Sequence, residues 1–239
     1  KEVAVDLETK DPNIKTLGPG WSRKDGHIIG IAVAAGEYQG YFPIRHENGH
    51  NLDAKIAMRW LGQQMAVPDM HVIMHNATYD AGWMRPEGVE IKGKSIDTMI
   101  TGALVDENRW SFGLDAMARD YAGIRKDEKL LKAAAKAWGI DPKAEMWKMP
   151  AMYVGPYAQN DAEITLDLWN YLSTQLTKEE LWPIANLELQ LLPCLIDMTW
   201  RGVRVDQDRV ERTRNHLIKQ EKEIIKRIKD VAGNEVELW

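Results

Sequence analysis

EVAVDLET, residues 2–9, decides the fold. Its first six residues, Glu2–Val3–Ala4–Val5–Asp6–Leu7, are a short apolar run with β-branched side chains and read as a strand. Asp6 and Glu8 lie two apart at its end. A strand has a side-chain period of two, so both carboxylates turn to one face. Outward from this strand comes a loop over 11–26, rich in Pro and Gly (Pro12, Gly18, Pro19, Gly20, Gly26). Two further strands are predicted over 27–35 and 38–43, joined through Gly36–Glu37, and they form a meander on the first. A helix over 52–65 places Ile56, Trp60 and Leu61 on one face. A strand over 71–74 precedes a helix over 77–84, and Ile96–Asp97–Thr98 leads into a helix through Leu104. From there to Trp182 the pattern is helical, interrupted at Gly113, Gly123, Gly139, Pro150 and Gly155–Pro156. Strands first, then strand and helix alternating, then helices describe an α/β fold around a mixed sheet flanked by helices.

A helical extension follows, so the domains are expected at 1–180 and 181–239. Residues 188–200 read as one apolar-rich helix, 202–205 as an extended link, and Asp206 as the N-cap of a last helix. In that helix Val210, Leu217, Ile224 and Val231 recur every seven residues, with Ile225 and Ile228 filling in. Such a stripe lets a helix lie along a partner helix. Arg212, Lys219, Lys222, Lys226 and Lys229 hold the other face, and Gly233–Asn234 is the natural stop. The chain opens on Lys1 and ends at Trp239 in what reads as an unfinished segment, which points to a piece of something larger.

Composition sets the class. Of 239 residues, 44% are hydrophobic and 28% charged, ordinary for a globular protein and too apolar for disorder. No apolar run approaches the length of a membrane span, and no signal-peptide pattern opens the chain. The single cysteine, Cys194, excludes an internal disulfide framework and a cysteine-cluster zinc site, which fits a reducing, cytoplasmic setting. The net charge of −5 hides an asymmetry. Residues 201–230 hold ten Lys/Arg against six Asp/Glu, a net +4, so the other 209 residues carry −9. An acidic body with a basic tail suits a body that holds metal ions and a tail that touches phosphate.

Three pairs carry the chemistry. Asp6 and Glu8 end a strand, Asn76 and Asp80 follow a strand into a helix, and Tyr157 and Asp161 stack one turn apart at a helix start. Each pair alone is commonplace. Together they stand at successive junctions of an α/β sheet, which gathers such groups at one edge. Four carboxylates meeting there, Asp6, Glu8, Asp80 and Asp161, repel one another unless cations intervene. Oxygen ligands without Cys or His suit magnesium or manganese.

At these positions the chain resembles a known family. VAVDLET, HNATYD and YAQNDAEITLDLW look like the three motifs of the DEDD exonucleases, tyrosine subclass, whose fold is ribonuclease H-like. Tyr157, four before Asp161, is the subclass mark; a histidine-type member would carry His where this chain has Pro156. DPNIKTLGPGWSRKDGHIIGIAVA, YFPIRHENGHNLD and IDTMITGALVDENR resemble the exonuclease domains of bacteriophage family A DNA polymerases. LELQLLPCLIDMTWRGVRVD is similar to the segment that opens the polymerase domain there, and the helix after it to the first thumb helix.

The resemblance implies a 3′→5′ exonuclease that removes nucleoside monophosphates from single-stranded or frayed DNA 3′ ends. It would be the proofreading part of a polymerase in the host cytosol, covalently continuous with a polymerase domain, with no membrane partner. Two Mg2+ or Mn2+ ions are implied. Asp6 would bridge them, Glu8 and Asp161 would complete the nucleophile side, and Asp80 would hold the second ion through water. Tyr157, with an ordinary pKa near 10, is a poor base and would orient the attacking water. Asn76, Thr9, Trp21 and Arg23 are the candidate substrate contacts. Asn76 reads equally as a turn residue, and Trp21 beside Arg23 and Lys24 is expected to be exposed for stacking on an unpaired base. Asp97 reads as a cap rather than a ligand, and His46, His50, His71 and His75 lack metal-ligand spacing. The alternatives are a DEDD-type ribonuclease, a non-catalytic DNA-binding module of the same fold, and an interaction protein that uses its tail as a coiled coil.

Overall fold

The computed structural model describes residues 1–124 and 126–234; residues 235–239 of the expected second domain lie outside them. Strand β1 (Glu2–Lys10) is the middle of a five-stranded mixed sheet whose other members are β2 (His27–Ala35), β3 (Tyr38–Pro43), β4 (His71–Met74) and β5 (Lys94–Asp97). The order is β3-β2-β1-β4-β5. The predicted meander gives the antiparallel pairs β1–β2 and β2–β3, while β4 joins β1 in parallel and β5 joins β4 in parallel.

The helices are α1 (Ile14–Leu17), α2 (Ala54–Met65), α3 (Ala77–Met84), α4 (Thr98–Val105), α5 (Leu114–Met117), α6 (Lys129–Trp138), α7 (Ala151–Lys178), α8 (Trp182–Arg201) and α9 (Gln207–Ala232). Asp53 caps α2 by accepting the Ile56 N–H at 3.0 Å. The buried face of α2 is Ala57, Met58, Leu61 and Met65; Ile56, expected on it, points to solvent. Gly155–Pro156 does not interrupt the chain as expected. Instead α7 runs 28 residues straight through Pro156. Pro156 sits early in the helix, where a missing N–H forfeits one bond, and Gly155 beside it lets the Tyr41 ring pack on the helix.

The period of two along β1 sorts two cores. Val5 and Leu7, with Val72 and Met74, face α2 and α3 and enclose Trp21, Trp83 and Met84. Ala4, with Ala32, Ala34, Ile73 and Ile96, faces Ala158, Ala162, Leu168, Trp169 and Leu172 of α7. Where Ala4, Ala32 and Ala34 meet Ala158 and Ala162, α7 can lie close against the sheet, since there neither side presents more than a Cβ.

The chain divides into two compact units, 1–201 and 202–239. The expected boundary after residue 180 falls between α7 and α8, but α8 packs with the first unit. It buries Ala185, Leu189, Leu192 and Ile196 there. In the second unit the Asp206 carboxylate accepts the Arg209 N–H at 2.9 Å to start α9, and Gly233 ends it at φ 73°. The stripe of Val210, Leu217, Ile224 and Ile225 is exposed. Among the described residues no helix is long and apolar enough to cross a membrane.

Candidate active site

The site forms where β1 outruns its neighbour. Pairing of β1 with β4 ends at Ala4–Ile73, so the next backbone groups on that edge of β1 need other partners. Asp80 of α3 supplies one, accepting the Leu7 N–H at 2.8 Å. Asp6 and Glu8 flank that residue and share the face of Ala4, toward α7. Glu8, Asp80 and Asp161 are buried and Asp6 is half-buried.

Helix α3 is aimed by Asp97. Its carboxylate accepts the N–H groups of Asn76 at 3.1 Å and Ala77 at 2.8 Å, and also that of Met99 at 2.8 Å. One side chain thus starts both α3 and α4, as expected of a cap. Asn76 takes a left-handed conformation at φ 62°, the turn that releases β4 into α3, and its side chain is exposed. His75 donates to or accepts from Thr98 Oγ1 at 2.9 Å; burial pushes it down to about 4, so it is neutral near pH 7.

The electrostatics of the group are those of crowded acids. Burial, then Asp161, pushes Asp6 up to about 7 from its ordinary 3.8. Burial, then Asp6 and Asp161, holds Glu8 well above the usual carboxylate range. Asp80 is raised by burial and then by Asp6, against the Leu7 N–H that lowers it. Asp161 is raised by burial and held back by Lys126, whose ammonium donates to Oδ2 at 2.6 Å. The Tyr157 phenol is raised above its ordinary value, by burial and then by Glu8, Asp161 and Asp6, so it stays protonated. The structure therefore brings Glu8, Asp80, Tyr157 and Asp161 within electrostatic reach of Asp6.

Among the described residues, no group of three or more His, Cys, Asp or Glu side chains is drawn tightly enough to grip a metal ion. Asp80 is turned to the Leu7 N–H and Asp161 to Lys126, which accounts for the looseness. The donor set nonetheless fits a divalent cation: it is all carboxylate, and the buried Asp161 Oδ1 has no partner.

The sequence model of the 3′-5′ exonuclease family matches residues 1–177. The chain belongs to that family. A DNA-directed DNA polymerase of Pseudomonas phage M6 is 35% identical over 240 residues, covering 99% of this chain and 36% of the polymerase. The chain therefore spans about a third of the length of that relative. Among solved structures, the POL domain of Pol1 from M. smegmatis, in complex with DNA primer-template and dNTP, superposes with a TM-score of 0.70. It is 17% identical and covers 100% of this chain and 35% of that one. NrnC of Brucella melitensis with bound Mg2+ superposes at 0.59, 14% identical over 86% of this chain and 89% of its own. These two likenesses carry the fold, a mixed sheet of the ribonuclease H-like kind. Together the relatives make the chain an exonuclease domain of the type found in phage family A DNA polymerases.

The expected exposure of Trp21 in this exonuclease domain is corrected. Trp21 is fully buried, its ring stacked 6.5 Å from that of Trp200 and lying directly against Gly82, so it presents no face to a base. Gly82 of α3 leaves room for the indole and Trp200 of α8 covers its face. Arg23 Nη1 donates to the carbonyls of Leu17, Gly18 and Pro19 at 2.7, 2.6 and 3.1 Å and pairs with Asp25, so its guanidinium closes its own loop. Thr9 Oγ1 bonds the Tyr79 hydroxyl at 2.7 Å, which in turn donates to Asp11.

Sequence reasoning missed three residues. Lys126 stands in a Lys-rich loop that carries no motif, and only folding brings it to Asp161. Tyr41 and His46 form a buried relay: Tyr41 Oη meets His46 Nε2 at 2.6 Å and His46 Nδ1 meets the Met149 carbonyl at 2.8 Å. This relay ties the end of β3 to the entry of α7, with Tyr41 raised by burial and then by Glu8 and Asp6. Its one sequence signal was Gly30, whose missing Cβ leaves room for the Tyr41 hydroxyl.

Proposed function

We propose that the chain hydrolyses the terminal phosphodiester of DNA 3′ ends, single-stranded or frayed, as the proofreading part of a phage family A DNA polymerase in the host cytosol. The observation that supports this is the set of four mutually repelling carboxylates at one end of the sheet. Asp6, Glu8 and Asp161 would hold one Mg2+ or Mn2+, and Asp6 with Asp80 the second. When bound, these ions supply an acidified water and charge neutralisation at the phosphate. Tyr157 keeps its proton and so donates a hydrogen bond that orients the attacking water. Water oxygen bonds to phosphorus, the P–O3′ bond breaks, the shortened strand leaves with a 3′ hydroxyl and the nucleotide leaves as a 5′-monophosphate. Asn76, whose side chain is exposed, and Thr9 are the proposed strand contacts. The residues after 180 would open the polymerase domain.

The test is labelled single-stranded DNA incubated with the chain, with and without chelator, beside Asp6→Ala/Glu8→Ala. Trimming should require metal and both carboxylates; trimming by the double variant refutes the site. The same oligonucleotide as RNA separates this reading from a ribonuclease, which would degrade it at least as fast.

A further inference from the structure

Lys126 is the cation seated among these acids. Its Nζ lies 2.6 Å from Asp161 Oδ2 with both side chains almost fully buried, at 12% and 6% exposure, and 5.5 Å from the centre of the Tyr157 ring. Its charge favours the ionised forms of Asp6, Glu8 and Asp161 alike. One ammonium cannot balance four carboxylates, and a metal ion on the unpartnered Oδ1 would share one carboxylate with the ammonium on Oδ2, where the two positive charges repel. The lysine stem also has somewhere to go. Lys126 lines a depression of about 800 Å³ that holds Asp115, Asp127 and Glu128 beside Arg119, Lys129 and Lys143, so a displaced ammonium meets acids there.

We propose that Lys126 is a tethered counter-ion that competes with the divalent cation for Asp161, steadying the metal-free site and weakening its grip on metal. This rests on the proposed metal-binding role of Asp161. The ammonium relieves carboxylate repulsion when no metal is bound. A divalent ion brings twice the charge to the same carboxylate and drives the ammonium away toward the depression and its acids. A lysine that served only to hold the loop would have the opposite signature, since losing it would loosen the site and weaken metal binding.

The experiment is a calorimetric titration of the chelator-stripped chain with Mn2+, comparing wild type, Lys126→Gln, Lys126→Arg and Asp161→Asn, each checked by circular dichroism, with melting curves in chelator. Lys126→Gln should bind Mn2+ about tenfold more tightly while melting lower in chelator. Lys126→Arg keeps the charge and the fold and should bind no more tightly than wild type. A folded Lys126→Gln with unchanged or weaker Mn2+ affinity overturns the proposal, as does a tighter-binding Lys126→Arg. Equal Mn2+ affinity in wild type and Asp161→Asn would instead show that Asp161 holds no metal, overturning the site reading and the proposal with it.

Discussion

Asp6→Asn should stabilise the metal-free protein. Asp6 stands at about 7 in the fold against an ordinary 3.8. Because the folded value is the higher one, the carboxyl ionises first in the unfolded chain as pH rises. Stability contributed by this group is therefore greatest below 3.8 and is lost progressively as pH climbs to 7. Each pH unit in that window costs about 1.4 kcal/mol. The penalty is thus about 2 kcal/mol at pH 5 and about 4 kcal/mol at pH 8, where it has levelled off. Asparagine keeps the shape and removes the charge. Allowing about 1 kcal/mol for polar contacts the amide cannot reproduce, the net gain at pH 8 is about 3 kcal/mol. For a chain of this size each kcal/mol moves the melting temperature by about 2–4 °C, so the variant should melt roughly 6–12 °C higher at pH 8 and much closer to wild type at pH 5. The assay is a pair of melting curves in chelator at the two pH values. Saturating Mg2+ should close or invert the gap, since the ion stabilises only the protein that binds it. An Asn variant that melts at or below wild type in chelator at pH 8 would refute the crowding argument.

Asp97→Ala leaves the N–H groups of Asn76, Ala77 and Met99 without their acceptor; urea unfolding should show a loss of about 2–4 kcal/mol. Ala162→Leu puts a branched side chain between α7 and the sheet, which should cost about 1–3 kcal/mol and displace Asp161 enough to slow 3′ trimming by about tenfold or more. A fully active Ala162→Leu protein would mean that the closeness of α7 is immaterial to the site. Trp21→Phe should lower the melting temperature while leaving affinity for single-stranded DNA within about twofold, since the ring is buried. A large loss of DNA affinity in a folded Trp21→Phe protein would restore the stacking role that burial denies it.

What the sequence determined by itself was most of what local period and local chemistry govern, Ile56 excepted. Alternation along residues 2–9 put Asp6 and Glu8 on one face, a four-residue step stacked Tyr157 over Asp161, and Asp97 and Asp206 read as caps because short acidic side chains reach nearby N–H groups. Side-chain fates that depend on what the rest of the chain brings near were closed to it. Trp21 looked exposed because loop composition says nothing of the apolar side of α3 and α8 waiting to cover it, and Arg23 looked free because the carbonyls it holds converge only when the loop closes. Pro156 looked like a break because its cost depends on where in a helix it falls. Lys126 reaches Asp161 across 35 positions of sequence, a meeting that only the folded chain makes. Short-range order is written in spacing, whereas the partner of a buried charge is chosen by packing, which sums over residues far apart in the chain.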